Sequence, residues 1–511
     1  MNATKKPLLS SAVRSLTTPK RAYPVVDWII ILYVAAVLVF QTILQISPLV
    51  SLLTKTPFYS MQTYLGILGG GLILLDLVTT KRLWQGKFCI LLYGILLLAA
   101  LASVRTMSYG LKENIFKLCW SAIYFTLVYS CAYRFDRATL IKCAKVLFFT
   151  LLAVWFIACC VSLYQYAAQI GYRYVVNPLG KDASNTRQGF YDSRLFGIFY
   201  TLNHAAYISL LFIIGCVFYF MKSPHRSVRI ALVLICLCLG SHILLSGSRS
   251  ARISLILVSV VGTWLLVRRR MQGKGLKQRI LPLAMAVVMV GVAIGGTAGW
   301  KEALRHVPYL AQETIYWLDG GTANPNHEKV DKEEIDEMLD REELEADSSN
   351  GRLSIWLDYL SLYKEIGPIG LSPGNYMAHI LESNPELYIV DYIKQEYPAK
   401  YDSGIIYHTH NGYLLVFVAT GWIGIACLIA FIALCVIRLV RTLRQQRQVS
   451  LLFVGCMLIA AAIAVSAMLD EGLFFQNHLH TTLFWFALGV LMKECVDREP
   501  QEGVPAAVSA E

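Results

Sequence analysis

Two histidines and an asparagine stand directly against an apolar run in "YHTHNGYLLVFVATGWIGIA", residues 407–426. Groups that ionise near neutral pH are costly to keep at the mouth of a membrane helix, so their presence points to chemistry. His408 and His410 are two apart and would not share one face of a helix, which argues against a paired metal-ligand site. A single imidazole suits a proton acceptor. Asn411 is placed to cap the helix that follows.

Three further patches carry polar groups at membrane boundaries. In "LLSGSRSARISL" (244–255), Ser246-Gly247-Ser248 must make a tight turn between two apolar runs, with Ser248 as the cap of the second helix. Arg249 and Arg252 are three apart and share a face at that helix's positive end, a good site for an anion, with Arg249 the stronger candidate. Snorkelling to lipid headgroups is the competing account. In "YDSRLFGIFYTLNHAAY" (191–207), Arg194 is a candidate site residue, and Asn203 either joins it or bridges two helices. In "SSNGRLSIWLDYLSLYKEIGPIGLSPGNY" (348–376), Arg352 precedes an amphipathic helix bearing Ile355, Trp356, Tyr359, Leu360 and Tyr363, closed by a Gly/Pro turn at 370–374. On chemistry alone, Arg352 reads as a solvated loop residue.

The elements that position these groups follow from composition. The 511 residues are 56% hydrophobic and 16% charged, and runs of membrane-spanning length recur along the chain. The runs are apolar all round, which predicts an all-α polytopic membrane protein. Twelve spans are expected, near 24–46, 61–79, 88–104, 116–133, 143–167, 195–221, 228–245, 250–267, 280–298, 411–437, 449–468 and 477–492. The first is too long and well flanked for a cleaved signal segment and is expected to be retained.

Basic clusters at the start (Lys5, Lys6, Arg14, Lys20, Arg21), at 81–87, 134–145, 222–229, 268–279 and 438–447 all fall on one side when twelve spans are threaded. The positive-inside bias then puts both termini, the tails 1–23 and 493–511, in the cytoplasm. The net charge of +12 is thereby a topological signal, and no nucleic-acid partner is needed to explain it. The expected layout is spans 24–298, a large outer-face loop domain at 299–410 between helices nine and ten, and spans 411–492. Within that loop, the acidic stretch 328–347 reads as a solvated surface helix, with a carboxylate metal site the lesser alternative. The thirteen cysteines lie in or beside spans or on the cytoplasmic side, so no extracellular disulfide framework is implied.

Taken together the motifs resemble a family. His410-Asn411, nine residues, then Gly421-Trp422-Ile423-Gly424 is similar to the histidine motif of the bacterial O-antigen ligase and O-antigen polymerase superfamily. "SGSR" (246–249), "NGRLSIW" (350–356), "GLSPGNY" (370–376) and "RLFGIFYTLNH" (194–204) resemble that family's segments in the family's order, across roughly residues 60–490. The resemblance implies a GT-C-like membrane glycosyltransferase of the bacterial cytoplasmic (inner) membrane, needing neither metal nor other cofactor. Its donor would be a glycan on undecaprenyl diphosphate, and its acceptor a glycan, lipid or cell-wall hydroxyl on the outer face. The family's essential histidine carries over to His410 and its two essential arginines to Arg249 and Arg352, which revises the solvated reading of Arg352. The acidic insert at 328–347 is not part of the family pattern.

As chemistry this implies that His410 takes the acceptor's proton. Arg249 and Arg352, with Arg194 a weaker third, stabilise the diphosphate leaving group, Asn411 lies beside the substrate, and the anomeric centre inverts. The alternative from another class is a transporter or flippase of lipid-linked saccharides. That reading calls for polar groups at mid-membrane, broken helices and, in many twelve-span carriers, two similar halves. The candidate residues cluster at the surface instead, and the halves differ.

Overall fold

A computed structural model describes residues 24–54, 60–80, 86–175, 185–271, 276–318, 351–396, 398–402, 404, 406, 408–446 and 448–496. The acidic stretch 328–347 and the tails at 1–23 and 497–511 lie outside the described residues. In chain order the helices are α1 (Pro24–Ile43), α2 (Ser47–Thr54), α3 (Met61–Thr79), α4 (Cys89–Arg105), α5 (Lys112–Ile123), α6 (Arg137–Ala167), α7 (Leu202–Lys222), α8 (Arg226–Leu245), α9 (Arg249–Arg270) and α10 (Leu276–Leu318). Short helices α11 (Arg352–Ser361), α12 (Tyr363–Ile366), α13 (Tyr376–Ser383), α14 (Tyr388–Glu396) and α15 (Pro398–Asp402) follow. Three long helices close the chain, α16 (Gly412–Gln445), α17 (Leu451–Ser466) and α18 (Leu479–Val496).

Among the described residues nine helices are long and apolar enough to cross a membrane, and α4 and α17 are shorter apolar helices beside them. Large apolar side chains such as Ile67, Leu97 and Val287 are exposed on their flanks, so the solvent that suits this surface is lipid. The protein is a mostly helical, multi-pass membrane protein. All thirteen cysteines are free thiols.

Two expectations change. The chain is not purely helical: residues expected at the head of the sixth span and just before it form a three-stranded antiparallel sheet, β1 (Gly171–Val175), β2 (Asn185–Tyr191) and β3 (Arg194–Gly197). Phe190 and Leu195 pair across the strands and are buried with Tyr166, Leu244, Leu245 and Leu304, while Tyr191 pairs with Arg194 on the other face. One apolar face on the helix ends is enough to hold so small a sheet. The second change is at α10, which runs on to Leu318 instead of ending near residue 298.

Side-chain caps start several helices: Asp136 for α6, Ser248 for α9, Asn411 for α16 and Ser450 for α17. Helix pairs α4–α16, α7–α8, α9–α10 and α17–α18 pack together, and α9 also packs on α17. After α5 a π-turn, Tyr124–Val128, carries Tyr124, whose hydroxyl donates to Asn477 Oδ1 at 2.9 Å and accepts from Gln41 Nε2 at 3.2 Å. At the opposite end of the bundle Arg134 pairs with Asp27 (3.2 Å) and Asp76 (2.5 Å), all buried.

α16 is broken at Gly421, whose φ of 67° interrupts the helical bonding. The loop 367–372 takes over the freed groups. Trp422 and Ile423 donate their N–H groups to Gly367 O (3.1 Å) and Pro368 O (3.2 Å), while Leu371 N donates to Val418 O at 2.8 Å. Irregular backbone survives in a membrane bundle only where protein satisfies it, as here. The approach is so close that a Cβ on Gly421 would lie 2.5 Å from Gly367 O, and one on Gly370 2.4 Å from Thr420 N. The loop is pinned beyond α4: Asn375 Nδ2 donates to Thr106 O (2.7 Å) and Gly110 O (2.6 Å), and Asn114 Oδ1 accepts from Gly374 N at 2.6 Å.

Candidate active site

The first side of the site is the turn between α8 and α9. Ser248 Oγ accepts from Ala251 N at 3.4 Å and caps the start of α9, the positive end of that helix. Arg194 reaches this turn from β3, its Nε donating to Ser246 O at 2.9 Å and its guanidinium lying over the Phe196 ring. Arg249 is exposed at the first position of α9. One residue on, Ser250 Oγ accepts from the buried Tyr207 hydroxyl and clasps α9 to α7.

The second side is the approach to α16. His410 holds a left-handed backbone, φ 46°, unusual for any residue but glycine. Immediately after it, Asn411 Oδ1 accepts from Tyr413 N (3.0 Å) and Leu414 N (3.1 Å), so that oxygen is committed to the cap and only Nδ2 is left to face a substrate. Gly412 N donates to Ala467 O (2.7 Å) and Asp470 O (3.0 Å), fastening the start of α16 to the turn between α17 and α18. Buried Thr409 is gripped from two directions. Its hydroxyl donates to Glu471 Oε1 at 2.7 Å, and its carbonyl accepts from Trp356 Nε1 at 2.9 Å. Trp356 lies on α11, the helix that Arg352 opens.

The turn after α17 supplies charge. Glu471 is buried, accepts from Gln476 Nε2 at 2.8 Å, and faces Nδ1 of the exposed His408 at 3.4 Å. Tyr376 OH is 3.5 Å from the same His408 nitrogen. Asp470 Oδ2 is 3.2 Å from His204 Nε2, and the His204 ring centroid lies 4.7 Å from those of both His478 and His480.

Burial holds His410 below the ordinary histidine range. Glu471 and Asp470 oppose that shift, while the charges of Arg352 and His408 add to it. Burial alone would raise Glu471, but His408, Lys117 and the Thr409 hydroxyl bring it down to about 2. Asp470 is likewise pushed up by burial and drawn below the usual carboxylate range by His204. The charge of Arg352 acts on Tyr207 as well as on His410, one from each side of the site. Arginines at the starts of α9 and α11, a half-buried imidazole and fixed carboxylates are groups that can receive an anion and move a proton beside it.

Residues 234–429 match the family model described as O-antigen ligase. That match supports the resemblance to the O-antigen ligase/polymerase superfamily. No curated protein and no solved structure matches the chain. The O-antigen ligase match takes in Arg249, Arg352, His410 and Asn411, and Arg194 lies before it. The family match and the membrane helices together support a glycosyltransferase-like glycan ligase or polymerase acting at a membrane.

Several residues of this O-antigen ligase-like site escape a reading of the sequence by motifs: Glu471, Asp470, His478, His480, Tyr207 and Lys117. The signal was present in "LDEGLFFQNHLH" (469–480), where two carboxylates and two histidines interrupt apolar runs just as His408 and His410 do. Trp356, one of the aromatic residues of the amphipathic helix, donates its N–H to the Thr409 carbonyl.

Proposed function

We propose that the protein transfers a glycan from undecaprenyl diphosphate to an acceptor hydroxyl at the outer face of the bacterial cytoplasmic membrane, with both termini in the cytoplasm. The observation that carries this reading is the bond from Trp356 to the Thr409 carbonyl, which joins the helix of Arg352 to the residue before His410. An anion-binding group and a proton acceptor are thereby set in one unit.

In the proposed reaction the acceptor oxygen attacks the anomeric carbon from the side opposite the diphosphate. A glycosidic C–O bond forms, the bond from that carbon to the diphosphate oxygen breaks, and its electron pair leaves on the phosphate. The acceptor's proton passes to His410. Arg249 and Arg352 meet the growing charge on the leaving group, with Arg194 buttressing the turn beside Arg249. The configuration inverts, and the arginines carry out electrostatically what a metal does in other transferases. A proton acceptor in place contributes typically about 100- to 10,000-fold.

The test is transfer by purified protein in liposomes, with labelled lipid-linked glycan, for the wild type and His410→Ala at matched expression. Loss of transfer with donor binding retained supports the base assignment, and an active variant removes it. Movement of the labelled donor across the liposome without a new glycosidic bond would establish the flippase reading instead. In a deletion strain, single repeat units accumulating on lipid would mark a polymerase, and long chains stranded on lipid a ligase.

A further inference from the structure

The stretch 408–410 is held mainly by one side chain from outside the family match. Glu471 takes the Thr409 hydroxyl on one carboxylate oxygen, and turns the other to Gln476 Nε2 and His408 Nδ1. Its carboxylate thus brackets His410 on the N-terminal side, while the Asn411 cap and the bonds from Gly412 to Ala467 and Asp470 fix the C-terminal side. A left-handed residue between two such anchors is over-determined, the condition under which unfavourable backbone geometry persists at working sites.

We propose that Glu471 is a positioning residue for His410, fixing its left-handed conformation through Thr409 and supplying the counter-charge to the imidazolium formed when His410 accepts a proton. The inference rests on the reading of His410 as the base.

A half-buried base set among charged groups has two requirements: its ring must point at the acceptor, and the charge it gains must be met. Hydrogen bonding through the neighbouring residue answers the first. For the second, the charged groups that act on His410 are Glu471 and Asp470 from the turn after α17, Arg352 from α11 and His408 from its own stretch. The carboxylates favour the protonated ring, while Arg352 and any charge on His408 oppose it. Asp470 is already engaged by His204, at 3.2 Å. Glu471 has the shared partner, because His408 rests on the same carboxylate, and Lys117 of α5 also acts on it. His408 therefore competes with His410 for one negative charge, and removing either member of that pair has opposite consequences for His410.

The experiment follows the imidazole nitrogens of His410 by NMR in full-length protein labelled with ¹⁵N-histidine, assigned by their loss in His410→Gln. The same preparations give kcat for transfer as a function of pH. In Glu471→Gln, which keeps the size and one accepting oxygen but removes the charge, the midpoint of His410 is expected to fall by about one pH unit. The acid limb of kcat should move down with it, and the plateau should drop about tenfold, since a weaker base is left. In His408→Gln the midpoint is expected to rise. Glu471→Asp should restore much of the midpoint but less of the rate, because the shorter side chain retains the charge and loosens the grip on Thr409.

An unchanged midpoint in Glu471→Gln, or a fall in His408→Gln, overturns the inference. Should Glu471→Gln not fold, the His408→Gln titration decides alone, a rise supporting the inference and any other result sinking it. The two readings fail differently. Transfer that survives His410→Ala removes the base, whatever the titrations show. A flat titration with transfer lost in His410→Ala removes only Glu471.

Discussion

Trp356 and Thr409 are joined by a 2.9 Å hydrogen bond from the indole N–H to the backbone carbonyl. It ties α11 to the approach of α16 across the loop that separates Arg352 from His410 in the sequence. Trp356→Phe keeps most of the ring and removes the donor. The expected stability cost is about 1 kcal/mol, the net worth of such a bond. The expected cost in kcat is larger, about tenfold or more, because a small displacement of a reacting group is expensive. Thermal unfolding and transfer rates on the same samples check the difference. A rate loss no greater than the stability loss would reduce Trp356 to ordinary packing.

Charge alone does not make an arginine site. A guanidinium offers a planar fork to phosphate oxygens, where lysine offers a point charge. Arg249→Lys and Arg352→Lys are therefore expected to weaken retention of the donor about tenfold, with turnover falling as well. Arg194→Ala should act more mildly on the donor, since its Nε is spent on the Ser246 carbonyl. Donor retention measured with labelled lipid-linked glycan tests the ranking. Full activity in Arg352→Lys would end the bidentate assignment.

The interlock of the loop 367–372 with α16 makes a stability prediction independent of the reaction. Gly370 and Gly421 both have positive φ, and a Cβ on either would press on backbone atoms at 2.4–2.5 Å. Gly370→Ala and Gly421→Ala should each cost about 2 kcal/mol or more, since neither strain nor clash is relieved by a rotamer change. Gly71→Ala is the control, because nothing lies within 4 Å of its Cβ position on α3. Unfolding temperatures in detergent should fall for the first two and hold for the third.

The sequence signals that proved most direct were local. Apolar runs announce helices because every backbone group in lipid must be satisfied within its own segment. The caps Ser248 and Asn411 are legible because a cap and its helix are neighbours in the chain. What was hidden depends on distance. The break at Gly421 is written in "GWIG" only as a motif; its cause, the loop 367–372, is recruited from elsewhere. The sheet over 171–197 rests on one buried face provided by α6, α8 and α10, which no period-two pattern in so short a stretch reveals. Glu471 follows the same rule: its charge between two apolar runs was visible, but its service to Thr409 was not.

The proposed topology puts the start of α9 and the start of α16 on the outer side, and the end of α16 on the inner. In a variant lacking background cysteines, Ser248→Cys and His410→Cys should react with an impermeant thiol reagent added outside intact cells. Arg444→Cys should react only after permeabilisation. Ser248 is buried and His410 half-buried, so labelling of position 248 is expected to be slower than that of position 410. Labelling of position 444 but not 410 from outside would invert the map and, with it, the side on which the donor is used.

Acid should weaken the fold through His478. Burial, reinforced by His204, lowers its pKa to about 3, from an ordinary value of 6.5. In the unfolded chain the ring takes a proton at pH 6.5, and the folded chain refuses it until about pH 3. Below 6.5 the unfolded state therefore binds the extra proton, and stability declines as pH falls, the loss being complete only near 3. Between pH 7 and 5 the decline should be about 2 kcal/mol. Glu471 adds its own loss in a lower window: its folded pKa of about 2 lies below the ordinary 4.5, so its contribution is present above 4.5 and disappears as pH drops toward 2. The two windows separate the residues. His478→Gln should lessen the fall in unfolding temperature between pH 7 and 5 while leaving the steeper fall below 4.5, and Glu471→Gln should do the reverse. Parallel curves for His478→Gln and the wild type would show that His478 takes up its proton without opposing the fold.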